Sequence, residues 1–157
     1  MMVLLFKVDD KRYGMDVANV VELVPYMKLQ QLPKAPDFIA GLLNYRGRIV
    51  PVVDLSFLLV NRPSQQLLSS RIILIRPSLE EKDRFIGLLA EQVTEASKIP
   101  DEDFTDTGLE GDESSFVDKV TLRSDGLIQH INLDLLLPSE AKEMLSGYSA
   151  RQKGLMG

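Results

Sequence analysis

Short apolar or alternating runs recur along the chain at residues 3–8, 12–17, 20–31, 48–53, 71–76, 85–90, 117–122 and 127–132, rich in Val, Ile and Tyr or Phe. Runs of this length with β-branched enrichment predict strands, because a pleated chain buries every second side chain. Turn chemistry falls between them. Asp9-Asp10-Lys11, Tyr45-Arg46-Gly47 and Ser124-Asp125-Gly126 each separate two runs, with Gly47 and Gly126 placed where a tight hairpin wants positive φ. Helical periodicity is confined to the tail. There Pro138 marks an entry, Ser139 can cap, and Ala141, Met144 and Leu145 share one face before Gly147. The pattern predicts an all-β domain with a short C-terminal helix, and Asp54, before Leu55-Ser-Phe-Leu-Leu, reads as a local cap.

The two halves echo each other. Gly14, Val20 and Glu22 recur as Gly87, Val93 and Glu95, and Leu32-Pro33 with Phe38 recurs as Ile99-Pro100 with Phe104. Residues 46–54 are shadowed by residues 125–134 at an offset of 79 to 80. A duplicated unit forming two small β-barrels explains these echoes. The expected division is one domain over residues 1–140, with halves at 1–62 and 68–138 joined by the polar stretch 61–66, and a helix and tail over 139–157.

Composition narrows the chemistry. With 157 residues, 45% hydrophobic, the chain can bury a core. No run approaches the roughly 18 apolar residues of a membrane span, and the five or so apolar residues before Lys7 are too few for a signal peptide, so they read as a strand. A net charge of -5 and a pI near 4.9 argue against a surface that neutralises nucleic-acid phosphates or anionic lipid. The absence of cysteine removes thiolate metal sites and thiol nucleophiles, and a single histidine, His130, cannot form a histidine cluster. His130 reads as a half-exposed strand residue, and Asp16 with Asp54 offers no credible carboxylate pair for catalysis. Acid is concentrated between Glu91 and Asp118, where ten acidic residues face one base, Lys98. The stretch 100–115 therefore predicts a solvated, mobile excursion.

Three motifs carry a family resemblance. Tyr13-Gly14-Met15-Asp16-Val17 leads to Val20-Val21-Glu22-Leu23. Residues 32–41, Leu-Pro-Lys-Ala-Pro-Asp-Phe-Ile-Ala-Gly, follow, and then residues 44–55, Asn-Tyr-Arg-Gly-Arg-Ile-Val-Pro-Val-Val-Asp-Leu. With Ile86-Gly87-Leu88-Leu89-Ala90, Val93, Gly126-Leu127-Ile128 and Leu133-Asp134 in the second half, the chain resembles CheW-like chemotaxis adaptor domains over residues 3–138. One position departs: the family's usual Asn-Leu-Arg-Gly reads Asn44-Tyr45-Arg46-Gly47.

The resemblance implies two intertwined five-stranded SH3-like barrels, no catalysis and no cofactor or metal. It also implies a cytoplasmic adaptor that joins the tips of chemoreceptors (methyl-accepting chemotaxis proteins) to a CheA-type histidine kinase, associated with receptor arrays through these partners. No nucleic acid and no direct membrane insertion are implied. The other open reading is a regulatory or phosphatase-associated relative that contacts a response regulator. By resemblance the receptor-binding residues are Val17, Val20, Glu22, Arg46 and Val93; no kinase-binding residue is assigned. Read from the residues alone, the valines are core, Glu22 is the solvent face of a strand, and Arg46 is a surface arginine or a partner of Glu22 or Asp54. With no Gly-rich phosphate loop, the purified protein is expected to bind no ATP at micromolar affinity, which titration calorimetry checks.

Overall fold

Two apolar strands joined by the two-residue turn at Asp9 pair antiparallel, β1 (Met2–Val8) with β2 (Lys11–Asp16). A computed structural model of the chain describes residues 1–76, 84–107 and 116–136. After β2, a single 3-10 turn at Val17–Asn19, capped by the Asp16 carboxylate, carries the chain to β3 (Val20–Pro25) in a second sheet. β4 (Ile39–Tyr45), β5 (Arg48–Asp54), helix α1 (Leu55–Val60), β6 (Arg71–Ile75) and β7 (Ile86–Ala90) follow. At Glu91 the chain crosses back into β8 (Gln92–Lys98). It continues through the two-residue β9 (Thr105–Asp106), β10 (Val117–Arg123), β11 (Gly126–Ile131) and the single turn α2 (Leu133–Leu136).

The strand orders are β8-β1-β2-β11-β10-β9 and β3-β6-β7-β5-β4. Each sheet has a central antiparallel hairpin, β1–β2 or β6–β7, flanked on one side by an antiparallel edge strand. On the other side lies a parallel strand, β11 beside β2 and β5 beside β7. The sheets are thus two copies of one arrangement in which the halves have exchanged their first hairpins. β1 and β2 belong to the sheet of the C-terminal strands, and β9 adds a sixth strand to it beyond the five expected. Gly14 pairs with His130, and Gly87 with Val52. The first hairpins therefore repeat at 73 residues and their parallel neighbours at 78. The cap repeats at 78 as well: Asp54 caps α1, and Asn132, not Asp134, caps α2 through a 2.9 Å bond from the Asp134 N–H. The offset of 79 to 80 expected from sequence is one to two residues too long, because the turns at Arg46-Gly47 and Ser124-Asp125 close differently.

Apolar residues line both faces of the exchanged hairpins. In β1, Val3 and Leu5 join Ile99 and Ile128 inside one sheet, while Leu4, Phe6 and Val8 face the other way. In β6, Ile72 and Leu74 join Val24, Leu43, Val50 and Val52, while Ile73 and Ile75 face Phe6, Tyr13, Met15, Ile86 and Leu88. Each sheet so encloses its own small core, and the hairpins' outward faces meet in a third core between the sheets. Such strands read as continuous apolar runs, which is why residues 3–8, 71–76 and 85–90 were legible. Gly14 and Gly87 are the small residues on the inner faces. A Cβ on Gly14 would stand 2.4 Å from Val3 Cγ1, and one on Gly87 would stand 2.9 Å from Ile72 Cγ2. Gly14 is thus required by close packing in mid-strand, not by a turn; Gly47, at φ +82, does serve the turn.

Polar groups fasten the crossover. Glu91 is 4% exposed and accepts from Arg62 Nη1 at 2.6 Å, the Gln65 N–H at 2.9 Å and the Ser56 hydroxyl at 3.2 Å. Arg62 also donates to Asp9, and the Ser64 N–H donates to Asp54 at 2.8 Å. The stretch 61–66, expected as a linker between the halves, runs from α1 toward β6 and is strapped to the β1–β2 turn, the α1 cap and the sheet crossover. Three other expectations are altered. The run at 20–31 ends as a strand at Pro25, and β4 and β8 were not among the predicted strands. The start of the acidic stretch is structured, as a 3-10 turn at Asp101–Asp103 and β9 paired with β10, with Asp103 3.5 Å from Arg123. Residues 108–115, and the expected helix over 139–147, lie outside the described residues.

Gly14→Ala is expected to destabilise the fold by about 2 kcal/mol or more in urea unfolding, since Val3 is fully buried and cannot withdraw. Burial would raise the Glu91 carboxyl, but the bonds from Arg62, Gln65 and Ser56 outweigh it and hold it below the usual 4.5. A lowered native value means that the unfolded chain binds the proton first on acidification. The stabilisation is complete above about 4.5 and disappears as pH falls through the native value. Glu91→Gln should cost about 2 kcal/mol at neutral pH, less than a fully buried pair because Arg62 is partly exposed, and the gap to the wild type should close in acid.

Candidate partner-binding surface

The edge strands β3 and β8 each begin immediately after a crossover between sheets. Val20 opens β3 and pairs with Ile75; Val93 stands at the start of β8 and pairs with Phe6. A β-bulge follows Val20 in β3, and one lies at Leu5–Phe6 in the pairing with β8, so the edges bend where they leave the central core. Val17, in the 3-10 turn, Val20 and Val93 are all partly buried and all pack against that core. The three valines expected at the site therefore share one cluster. They are neither plain interior nor free surface: one side of each supports the fold and the remainder meets solvent. On β3, Val21 and Leu23 are exposed.

Glu22 and Arg46 come together on the second sheet. The carboxylate of Glu22, 42% exposed, accepts a hydrogen bond from the Tyr45 hydroxyl and lies 3.8 Å from Arg46 Nη2. Arg46 is 77% exposed and rests on the Tyr45 ring, its guanidinium carbon 5.2 Å from the centroid. Of the two acids weighed as its partner, Glu22 fills the role. Asp54 does not, because its oxygens serve the α1 cap and Ser64. The turn that presents Arg46 is of the I′ kind: Arg46 at φ +51 and Gly47 at φ +82 join β4 to β5, with the Asn44 side chain accepting from the Gly47 N–H at 3.1 Å. Behind it, Tyr45 meets Phe85 edge-on at 6.5 Å, and Phe85 carries Arg48 at 5.1 Å and Arg76 at 5.6 Å. The Glu22 bond, burial and the nearby Glu22 charge raise the Tyr45 phenol above 10 against the lowering effect of Arg46.

A match to the model of the CheW-like domain extends over residues 2–141. The chain belongs to the CheW-like domain family. Chemotaxis protein CheW of Rhizobium meliloti (strain 1021) is 29% identical over 140 residues, covering 88% of each protein. Chemotaxis protein CheW of Thermotoga maritima is 28% identical over 136 residues, 86% of each. The crystal structure of scaffolding protein TtCheW from Thermoanaerobacter tengcongensis superimposes with a TM-score of 0.77 at 28% identity, covering 92% of both chains. Among the described residues of this CheW-like chain, no helix is long and apolar enough to cross a membrane.

His130 corrects its expectation. It is 7% exposed rather than half-exposed, with Nδ1 2.8 Å from Asp118 Oδ1 and the Phe104 ring edge-on at 5.7 Å, because Phe104 lies over that part of β11. Sequence reading also missed the joint role of Tyr45 with Glu22 and Arg46. The only signal was the departure from leucine, which by itself does not say what the hydroxyl reaches. Nor did it foresee the Glu91 strap. An acid closing the apolar run Ile86-Gly87-Leu88-Leu89-Ala90 was visible, but its partners lie 26 to 35 residues away.

Proposed function

We propose that this CheW-like chain is a cytoplasmic adaptor without catalytic activity that couples the cytoplasmic tips of chemoreceptors to a CheA-type histidine kinase, joining receptor arrays through these partners. The observation that carries the reading is the match along nearly the whole chain, residues 2–141, to the CheW-like domain. The relatives' names, chemotaxis protein and scaffolding protein, point the same way. In this reading the exposed sides of Val17, Val20 and Val93 receive an amphipathic helical hairpin of the receptor. Glu22 and Arg46 set its register at the rim. Hydrophobic contact supplies affinity and the charges supply specificity.

Wild-type protein should co-sediment with a soluble receptor signalling fragment and the kinase together. Arg46→Ala should weaken receptor binding by about 1 to 3 kcal/mol while leaving the melting temperature unchanged, since arginine anchors are often hot spots and this one is exposed. Val93 packs on the central core, so aspartate there is expected to unfold the protein. Val93→Ala is the informative change, costing about 1 kcal/mol of stability and weakening receptor binding more than kinase binding. A folded Arg46→Ala protein that bound receptor with wild-type affinity would remove Arg46 from the site.

A further inference from the structure

Arg46 holds a backbone conformation that costs a side-chain-bearing residue roughly 1 kcal/mol or more, at φ +51, in an exposed turn where glycine would sit without strain. The two-residue I′ turn between β4 and β5 imposes it and fixes where the side chain starts. None of the described residues accepts a hydrogen bond from its guanidinium: at 3.8 Å the approach to Glu22 is an ion pair too long for one. Its close support is the face of the Tyr45 ring. The hydroxyl of the same ring donates to Glu22, a residue of another strand at the sheet edge. Phe85 meets the same ring edge-on, with the centroids 6.5 Å apart. One aromatic residue thus holds both rim charges, across a gap that neither the β3–β6 nor the β4–β5 ladder bridges.

We propose that Tyr45 is a specificity-determining residue of this adaptor: its ring and hydroxyl lock Glu22 and Arg46 into one preformed clamp whose free guanidinium N–H groups take a carboxylate or backbone carbonyl of the receptor hairpin. This rests on the receptor-binding reading above. A leucine, usual at this position in the family, could provide neither contact, so both charges would have to be ordered at the moment of binding. Fixing two long side chains beforehand removes that entropic cost from association.

The test is a double-mutant cycle with a soluble signalling-tip fragment of a methyl-accepting chemotaxis receptor as probe, read by fluorescence anisotropy. Tyr45→Phe, which keeps the ring, should weaken binding about threefold, and Tyr45→Leu about tenfold, on ordinary values for a hydrogen bond and a cation–π contact. Arg46→Ala should cost about tenfold in the wild type but less than about twofold in the Tyr45→Leu background, a coupling that a merely structural tyrosine would not produce. Thermal melts establish that each variant is folded. Equal losses from Arg46→Ala in both backgrounds, or unchanged affinity of Tyr45→Leu, would overturn the clamp while leaving the receptor-binding reading intact. If the leucine variant does not fold, Tyr45→Phe carries the test, and unaltered affinity there overturns the proposal. Failure of the folded wild type to bind the fragment overturns the receptor reading and this inference together.

Discussion

Everything in this molecule depends on two apolar hairpins that are buried on both faces. β1–β2 and β6–β7 each close the interior of one sheet with one face and meet each other with the opposite face. Neither half can therefore complete its own sheet. The N-terminal strands need β8 and β11, and β6–β7 need β3 and β5. Exchange of hairpins turns two small units, each marginal for its size, into one body whose central core belongs to both. The tightness of that arrangement appears at Gly14 and Gly87, where no side chain fits.

The same exchange explains where the candidate surface lies. Each time the chain leaves one sheet for the other, the next strand becomes an edge, and Val20 and Val93 begin those two edges with one side on the shared core. Residues in this position carry a double duty. They are apolar because the core requires it, and partly exposed because each stands at the start of an edge strand. The polar strap built on Glu91, Arg62 and Asp54 holds the crossover and the preceding helix in fixed relation, so that the edge is presented in one geometry.

Specificity lies on a different footing. At the rim, Glu22 and Arg46 are exposed enough that water screens them, and an ion pair at 3.8 Å contributes little by itself. In the proposed clamp the aromatic support underneath, Tyr45 against Phe85, organises charges that would otherwise sample many rotamers. Affinity from the valines and selectivity from the clamp would then be separable properties, carried by different strands.

The sequence by itself determined the all-β class, seven of the eleven described strands to within a residue at each end and the start of an eighth, β3, the three hairpin turns and the Asp54 cap, because alternation, β-branched content and turn chemistry act over a few residues. Its internal echoes also announced a duplication. Strands such as β4, interrupted by Gly41, and β8, polar on its exposed face, escaped because their pairing is enforced by neighbours rather than by their own residues. Only the tertiary structure decided which hairpins exchange sheets, that His130 is buried beside Asp118, and that the polar stretch joining the halves is strapped down by hydrogen bonds. It alone brought Tyr45 to Glu22, 23 residues apart. Local preferences select elements, but which element faces which is set by burial summed over the whole chain, and no short window of residues contains that sum.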